Sequence, residues 1–477
     1  MEASMRMLPA LLLPEIIVFI GALAVLLGGS FLPRRRQWIA RIVAALALLA
    51  ATAAAVSAMF EPAQTAFSGT FAVDTATGMA RIVTAVATLL VLGVASGEIA
   101  ASPRESDTYA LLLFAATGVM VLAGASDLLV LIAGFLLASI PLYGIVGLAG
   151  GRSGAEAALK TYLMGALSGI LLMLGVTVLY ALAGGPGYAL LGETLPDAPG
   201  AAVGAGVLGV LAGLLFKAGG VPFHFWVPDA SQGTGGTAAT FLTTVPKVGA
   251  LVAVYRLVDT VSTGEDTLLF VAAILATASM FLGNLAAFWQ TDPRRLLGWS
   301  TVAQVGFLLV PVAAAGRSGL ALPSLLFYLA AYAVTNVAAF AVTAALPRHQ
   351  ELAAYRGLVR ARPGLALALL VALLGLVGTP PLAVFVGKLT TATAAWDGGY
   401  GWLALAVMLN SLLSLFYYLR WFAPVFARPH QGAMGFPQPG GAASWPAATA
   451  GVAAVASLAL GLLAGPLWAA LEGPLAM

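Results

Sequence analysis

Only four side chains of this 477-residue sequence carry an ammonium: Lys160, Lys217, Lys247 and Lys388. Each falls inside an apolar run long enough to cross a bilayer, whereas the loop cations are Arg. A charge in hydrocarbon costs at least several kcal/mol, so such positions need a reason. Unlike a guanidinium, an ammonium can lose its proton when burial disfavours the charge. A row of buried lysines is therefore a candidate set of proton-loading sites. Lys217, Lys247 and Lys388 lie well inside their runs. Lys160 follows Glu156 by four residues, a spacing that equally suits a helical ion pair or snorkelling to the helix end.

Two of the lysines stand beside interruptions. One run reads Lys217-Ala218-Gly219-Gly220-Val221-Pro222-Phe223-His224, the other Gly378-Thr379-Pro380-Pro381 with Lys388 seven residues later. Proline removes an amide donor and clashes with the preceding turn. A helix broken at membrane depth frees backbone groups that only protein or water can satisfy. The breaks lie about 160 residues apart, a pattern that suggests repeated halves with an ion path at each break. His224, two residues past Pro222, either links a lysine to water or caps freed carbonyls. Among the acids, Glu15 is placed within a span, as a contact to a neighbouring helix or a relay member. Asp74, Asp107, Asp127, Glu156, Asp229 and Asp292 fall at helix ends, where carboxylates act as caps. Arg81, Arg256 and Arg420 read as structural residues near the interfaces.

The elements that position these groups follow from composition. Apolar types make up 61% and charged types 9%, against roughly 25% charged in soluble domains. Mean hydropathy is +0.99, which excludes a soluble or disordered chain. The net charge of +3 is too small and scattered to suggest nucleic acid. The sequence has no Cys, which excludes disulfides, thiolate zinc sites and iron–sulfur ligation. Its His residues, His224, His349 and His430, are too spread for a metal cluster. A bilayer span takes about 20 apolar residues. Pro, Gly and charge clusters divide the chain into fourteen candidate spans near 8–32, 37–59, 74–97, 108–125, 127–149, 156–183, 201–228, 237–258, 266–290, 294–315, 318–346, 363–396, 402–427 and 445–470. Arginines fix the orientation. Arg34, Arg35, Arg36, Arg104, Arg152, Arg294, Arg295, Arg348, Arg356, Arg360, Arg362 and Arg428 fall on one side, Arg6 and Arg317 on the other. That asymmetry puts the Arg-rich loops in the cytoplasm and both termini outside.

At these residues the sequence resembles the antiporter-like membrane subunits of respiratory complex I, the family that includes relatives of Mrp antiporters. The resemblance runs over nearly the whole chain. It rests on Leu13-Pro14-Glu15, Ser139-Ile140-Pro141-Leu142-Tyr143, Glu156-Ala157-Ala158-Leu159-Lys160, Phe216-Lys217 through Pro222-Phe223-His224-Phe225-Trp226, Val245-Pro246-Lys247, Arg294-Arg295-Leu296-Leu297 and Gly378-Thr379-Pro380-Pro381 with Gly387-Lys388. It implies an all-α polytopic membrane fold with two inverted five-helix repeats, each holding a broken helix. The expected organisation is outer helices over 1–107, a first repeat over 108–258, a second over 266–427, and a C-terminal loop and helix over 428–477. Lys217, Lys247 and Lys388 map onto the family's proton-path lysines, with helix breaks at Gly219, Gly220 and Pro222 and at Gly378, Pro380 and Pro381.

The resemblance also implies a translocating, non-redox subunit in a bacterial inner membrane. It would couple quinone reduction elsewhere in an NADH-oxidising complex to proton movement. NADH, FMN, iron–sulfur clusters and quinone would belong to partner subunits, and other membrane-arm subunits, including a second antiporter-like one, would be its neighbours. Two positions depart from the pattern. Leu136 stands where the family has Glu on the fifth helix. Gln304 stands where a His is common on the tenth, in Ser300-Thr301-Val302-Ala303-Gln304. Ser300, Thr301 and Gln304, with Lys160 and Glu15, are candidate members of a polar relay. The alternatives are a subunit of a cation/proton antiporter, a membrane-bound hydrogenase or an ion-coupled uptake complex, or a scaffold with weakened transport.

Overall fold

The computed structural model describes residues 8–262, 266–428, 435–436 and 444–476; Arg6 and His430 lie outside them. Among the described residues, thirteen helices are long and apolar enough to cross a membrane. A fourteenth crossing is assembled from two shorter helices, Pro363–Val377 and Ala383–Asp397. Each candidate span thus has its counterpart, and the fold is all-α and polytopic. The loops hold two small elements that apolar periodicity did not signal. One is a hairpin pairing Gln64–Ala66 with Phe71–Val73, the other a two-turn helix at Tyr188–Thr194.

Burial sorts the spans. The helices Gly236–Val261, Pro293–Ala313 and Ala321–Ala345, the eighth, tenth and eleventh spans, are almost wholly enclosed by protein, whereas the first two turn most of their surface outward. The enclosed helices carry Lys247, Gln304 and several hydroxyls. Enclosure makes those polar groups possible, because a buried polar atom needs a protein partner.

Charges outside the lysine row hold the outer helices in place. Glu15, in the first turn of Leu13–Phe31, forms a two-armed ion pair with Arg81 at 2.7 and 2.8 Å. Arg81 also donates to the Leu11 carbonyl. Asp74 caps the helix Thr75–Glu98 by accepting from the Thr77 amide. It also receives the Arg256 guanidinium of the eighth span and the Ala476 amide. These contacts put residues 11, 74 and 476 at one end of the bundle, as an even number of crossings requires.

Candidate functional site

The seventh span stops at Ala218 because Gly219 adopts a left-handed φ of 83°. Gly219 and Gly220 donate to the Phe216 and Leu215 carbonyls, the paired bonds of a Schellman cap. The chain then turns through Pro222 and re-enters a helix at Trp226–Gly233. The twelfth span repeats the device. Gly378, at φ 89°, donates to the Gly375 carbonyl, and Thr379 to Leu374. Such a cap leaves the last two carbonyls of the helix without amide partners. At the second break these are Leu376 and Val377, and the Lys388 ammonium takes both, at 3.1 and 3.0 Å. A cation there also meets the negative end of the helix dipole. The Phe307 ring faces the same ammonium at 4.0 Å.

Lys247 is held by a related rule. Pro246 sits inside the helix Gly236–Val261 and has no amide to offer the carbonyl four residues back, Leu242. The Lys247 ammonium donates to that carbonyl at 2.6 Å. Its Nζ also lies against the first break, 3.6 Å from where a Cβ on Gly219 would stand. Lys217 donates to the Ser139 hydroxyl at 2.5 Å beneath the Phe135 ring, with Lys247 near enough to repel it. All three lysines are buried, and among the described residues none of them forms an ion pair with a carboxylate. Neutral carbonyls, a hydroxyl and aromatic faces surround them. Such groups can stabilise an ammonium without fixing its proton permanently.

Polar side chains bridge part of the interval from Lys247 to Lys388. Tyr332 donates to the Thr243 carbonyl at 2.7 Å, and its hydroxyl also lies 3.1 Å from that of Thr301. Asn336 reaches the Thr243 and Thr244 hydroxyls. One turn along, Tyr328 donates to Gln304 Oε1 at 2.6 Å, and Gln304 Nε2 donates to the Leu376 carbonyl at 2.9 Å. Ser300 bonds to Tyr418, which also lies within reach of Gln304. Gln304 is therefore brought together with Lys388 at one carbonyl, whereas Ser300 and Thr301 bond to Tyr418 and Tyr332. Tyr328, Tyr332 and Asn336 were not singled out from the sequence, although their spacing of four marks one face of a helix.

The remaining candidates lie elsewhere. Glu15 is locked to Arg81 at a helix end and touches none of the lysines. Lys160 differs from the three buried lysines. Its side chain is 45% exposed and pairs with Glu156 at 2.6 Å and Asp229 at 2.7 Å. Asp229 in turn binds Arg295, and this cluster borders a polar cavity of about 460 Å³. Burial pulls the Asp229 carboxyl upward, but bonds from Lys160 and Arg295 more than offset it and hold the group below its ordinary range. His224 is buried beside Phe225 and Trp299, facing the Pro222 backbone, with no bond to either neighbouring lysine among the described residues.

The profile of the family described as NADH:quinone oxidoreductase/Mrp antiporter, TM, matches residues 125–414. NADH-quinone oxidoreductase subunit N of Mycobacterium sp. (strain JLS) is 61% identical over 469 residues, 98% of each chain. This chain belongs to the NADH-quinone oxidoreductase subunit N family. Subunit N 1 of Streptomyces griseus is 48% identical over 98% of each chain. A chain of respiratory complex I from Thermus thermophilus with bound aureothin is 31% identical and superimposes with a TM-score of 0.81, covering 97% of this chain and 100% of that one. A chain of the Mrp complex from Dietzia sp. shares the fold, with a TM-score of 0.85 over 97% of this chain and 96% of that one at 23% identity. Lys217 has the Ser139 hydroxyl as its bonded side-chain partner, and Leu136 lies one turn earlier on the same helix. Gln304 takes its place in the polar line as an amide.

Proposed function

We propose that the chain is a proton-translocating, non-redox subunit in the membrane arm of an NADH-quinone oxidoreductase, with Lys217, Lys247 and Lys388 as its proton carriers. The observation that carries this reading is the match between lysines and breaks. Lys388 occupies the free carbonyls of one Schellman-capped helix, and Lys247 abuts the glycine of the other while taking the carbonyl that Pro246 frees. Repeats over 108–258 and 266–427 would each supply one broken helix. NADH, FMN, iron–sulfur clusters and quinone are assigned to partner subunits, in keeping with a Cys-free sequence. Its partners would be other membrane-arm subunits, one of them antiporter-like, in a bacterial inner membrane with both termini outside. His224 and the cluster around Lys160 would serve the aqueous approach.

The test is Lys388→Ala in the assembled complex. Proton uptake per NADH should fall while NADH oxidation by an artificial acceptor persists. An unchanged proton-to-electron ratio would assign Lys388 a passive role. A second reading, a scaffold with weakened transport, draws on Leu136 and Gln304, neither of which can carry a charge near neutral pH. It calls for an unaltered ratio in all three lysine variants.

A further inference from the structure

Two donors converge on one carbonyl at the second break. Leu376 accepts from Lys388 Nζ and from Gln304 Nε2. A carbonyl oxygen offers two lone pairs and no proton, so both are engaged and neither donor can be replaced there by an acceptor. The amide of Gln304 must therefore point its nitrogen at Leu376, which turns Oε1 the other way. There it meets the Tyr328 hydroxyl at 2.6 Å. Gln304 and Tyr328 are both buried, so an unmatched Oε1 would carry a desolvation cost.

We propose that Tyr328 and Gln304 form a positioning pair for Lys388, fixing the amide so that it presents a donor, never an acceptor, to the carbonyl the lysine uses. The proposal rests on the reading of Lys388 as a proton carrier. With Oε1 held away, the ammonium is met by the Leu376 and Val377 carbonyls and the Phe307 face. The Leu376 oxygen is shared with a second N–H dipole, which weakens its pull on the ammonium. Were the Gln304 side chain to leave Leu376 and turn, Oε1 would be free to accept from Lys388 in a charge-assisted bond, roughly twice as strong as a neutral one. The proton would then stay on the lysine longer. Tyr328 thus keeps the charged form from being held too firmly, through Gln304 and without touching the ammonium itself.

The experiment uses the whole complex in native membrane vesicles, with NADH-driven proton uptake measured across pH. Tyr328→Phe keeps the ring and removes only the hydroxyl; a second variant adds Tyr418→Phe, because Tyr418 also reaches Gln304. Gln304→Leu removes the competing donor outright. Tyr328→Phe and the double variant should carry the alkaline limb of the profile to higher pH by roughly one to two units, as expected for a gain of about one hydrogen bond to a charge, and Gln304→Leu should move it the same way by less. In a Lys388→Met background the shift should vanish. A uniform loss of amplitude with the limbs in place would mean that the pair only supports the fold, and would overturn the proposal. So would superimposable profiles. If Lys388→Met itself leaves coupled turnover intact, the carrier reading fails and the pair falls with it. If Lys388→Met abolishes coupling while Tyr328→Phe moves nothing, the pair alone is refuted.

Discussion

Replacing Pro246 with Ala should repair a helix and damage the protein's work. The new amide would lie four residues after Leu242 and would compete for the carbonyl that Lys247 now occupies at 2.6 Å. That is the one hydrogen bond of the Lys247 ammonium found among the described residues. A hydrogen bond to a charged group contributes about 1.5–3 kcal/mol, so the charged form loses roughly that much. In populations this is about a tenfold to hundredfold change. The backbone moves in the opposite sense. Proline inside a helix costs about 3 kcal/mol, and the substitution removes part of that cost. Assembly and thermal resistance of the complex should therefore hold or improve while coupled proton uptake falls several-fold. The assay compares quenching of a pH-sensitive dye in inverted vesicles with NADH oxidation by an artificial acceptor. A variant that assembles normally and pumps at the original proton-to-electron ratio would refute the link between Pro246 and Lys247.

Glu15→Leu or Arg81→Leu alone should cost roughly 3–5 kcal/mol, seen as lost assembly, because each leaves a buried charge unpaired, and the double replacement should recover most of it. Asp229→Asn should lower thermal stability by about 1 kcal/mol at pH 7, a modest figure because Lys160 and Arg295 are partly solvated. The Asp229 carboxyl lies below its ordinary value, so its contribution is present above about pH 4 and is lost only as pH falls further; a stability profile that changes between pH 5 and 8 on account of Asp229 would contradict this. Lys217→Met tests the consequence of Leu136: either turnover drops little while Lys247→Met and Lys388→Met cost much, or the assembled complex shows a foreign carboxylate within about 6 Å of Lys217. A large loss with no such acid would exclude both.

The fourteen crossings were legible because bilayer thickness sets a length that the sequence must meet residue by residue; the eighth span, expected at 237–258, is found at Gly236–Val261. The breaks were legible for the same local reason, since Gly219, Pro222, Gly378 and Pro380 act on their own backbone. Partners were not. Nothing near Glu15 in sequence announces Arg81, 66 residues away, or joins Asp74 to Arg256 across 182. Lys160 lies within a candidate span, and hydropathy, which averages over a window, does not register its ion pair with Asp229, 69 residues away. The hairpin at Gln64–Ala66 escaped because three-residue strands are made by contacts such as that of Phe71 with Ala125, not by their own pattern. The carbonyl held by Lys247 was within reach of sequence reasoning, as Pro246 frees the position four residues back. Which donor fills it is decided by the fold, which turns the Lys247 side chain back onto that carbonyl.

The partners of Asp74 are separated from it by 3, 182 and 402 residues. A ribosome delivers them in that order. While the first three helices enter the bilayer, Asp74 has the Thr77 amide, and Glu15 finds Arg81 as soon as the third helix arrives. Those early helices carry their ion pair complete and need wait for nothing. Arg256 has Asp259 nearby on its own helix, but its ion pair is with Asp74, a carboxylate set in the chain long before. The last stretch of chain then closes over the same carboxylate. Chain order thus places the Glu15–Arg81 pair before the Asp74–Arg256 pair, and both before the contact from Ala476.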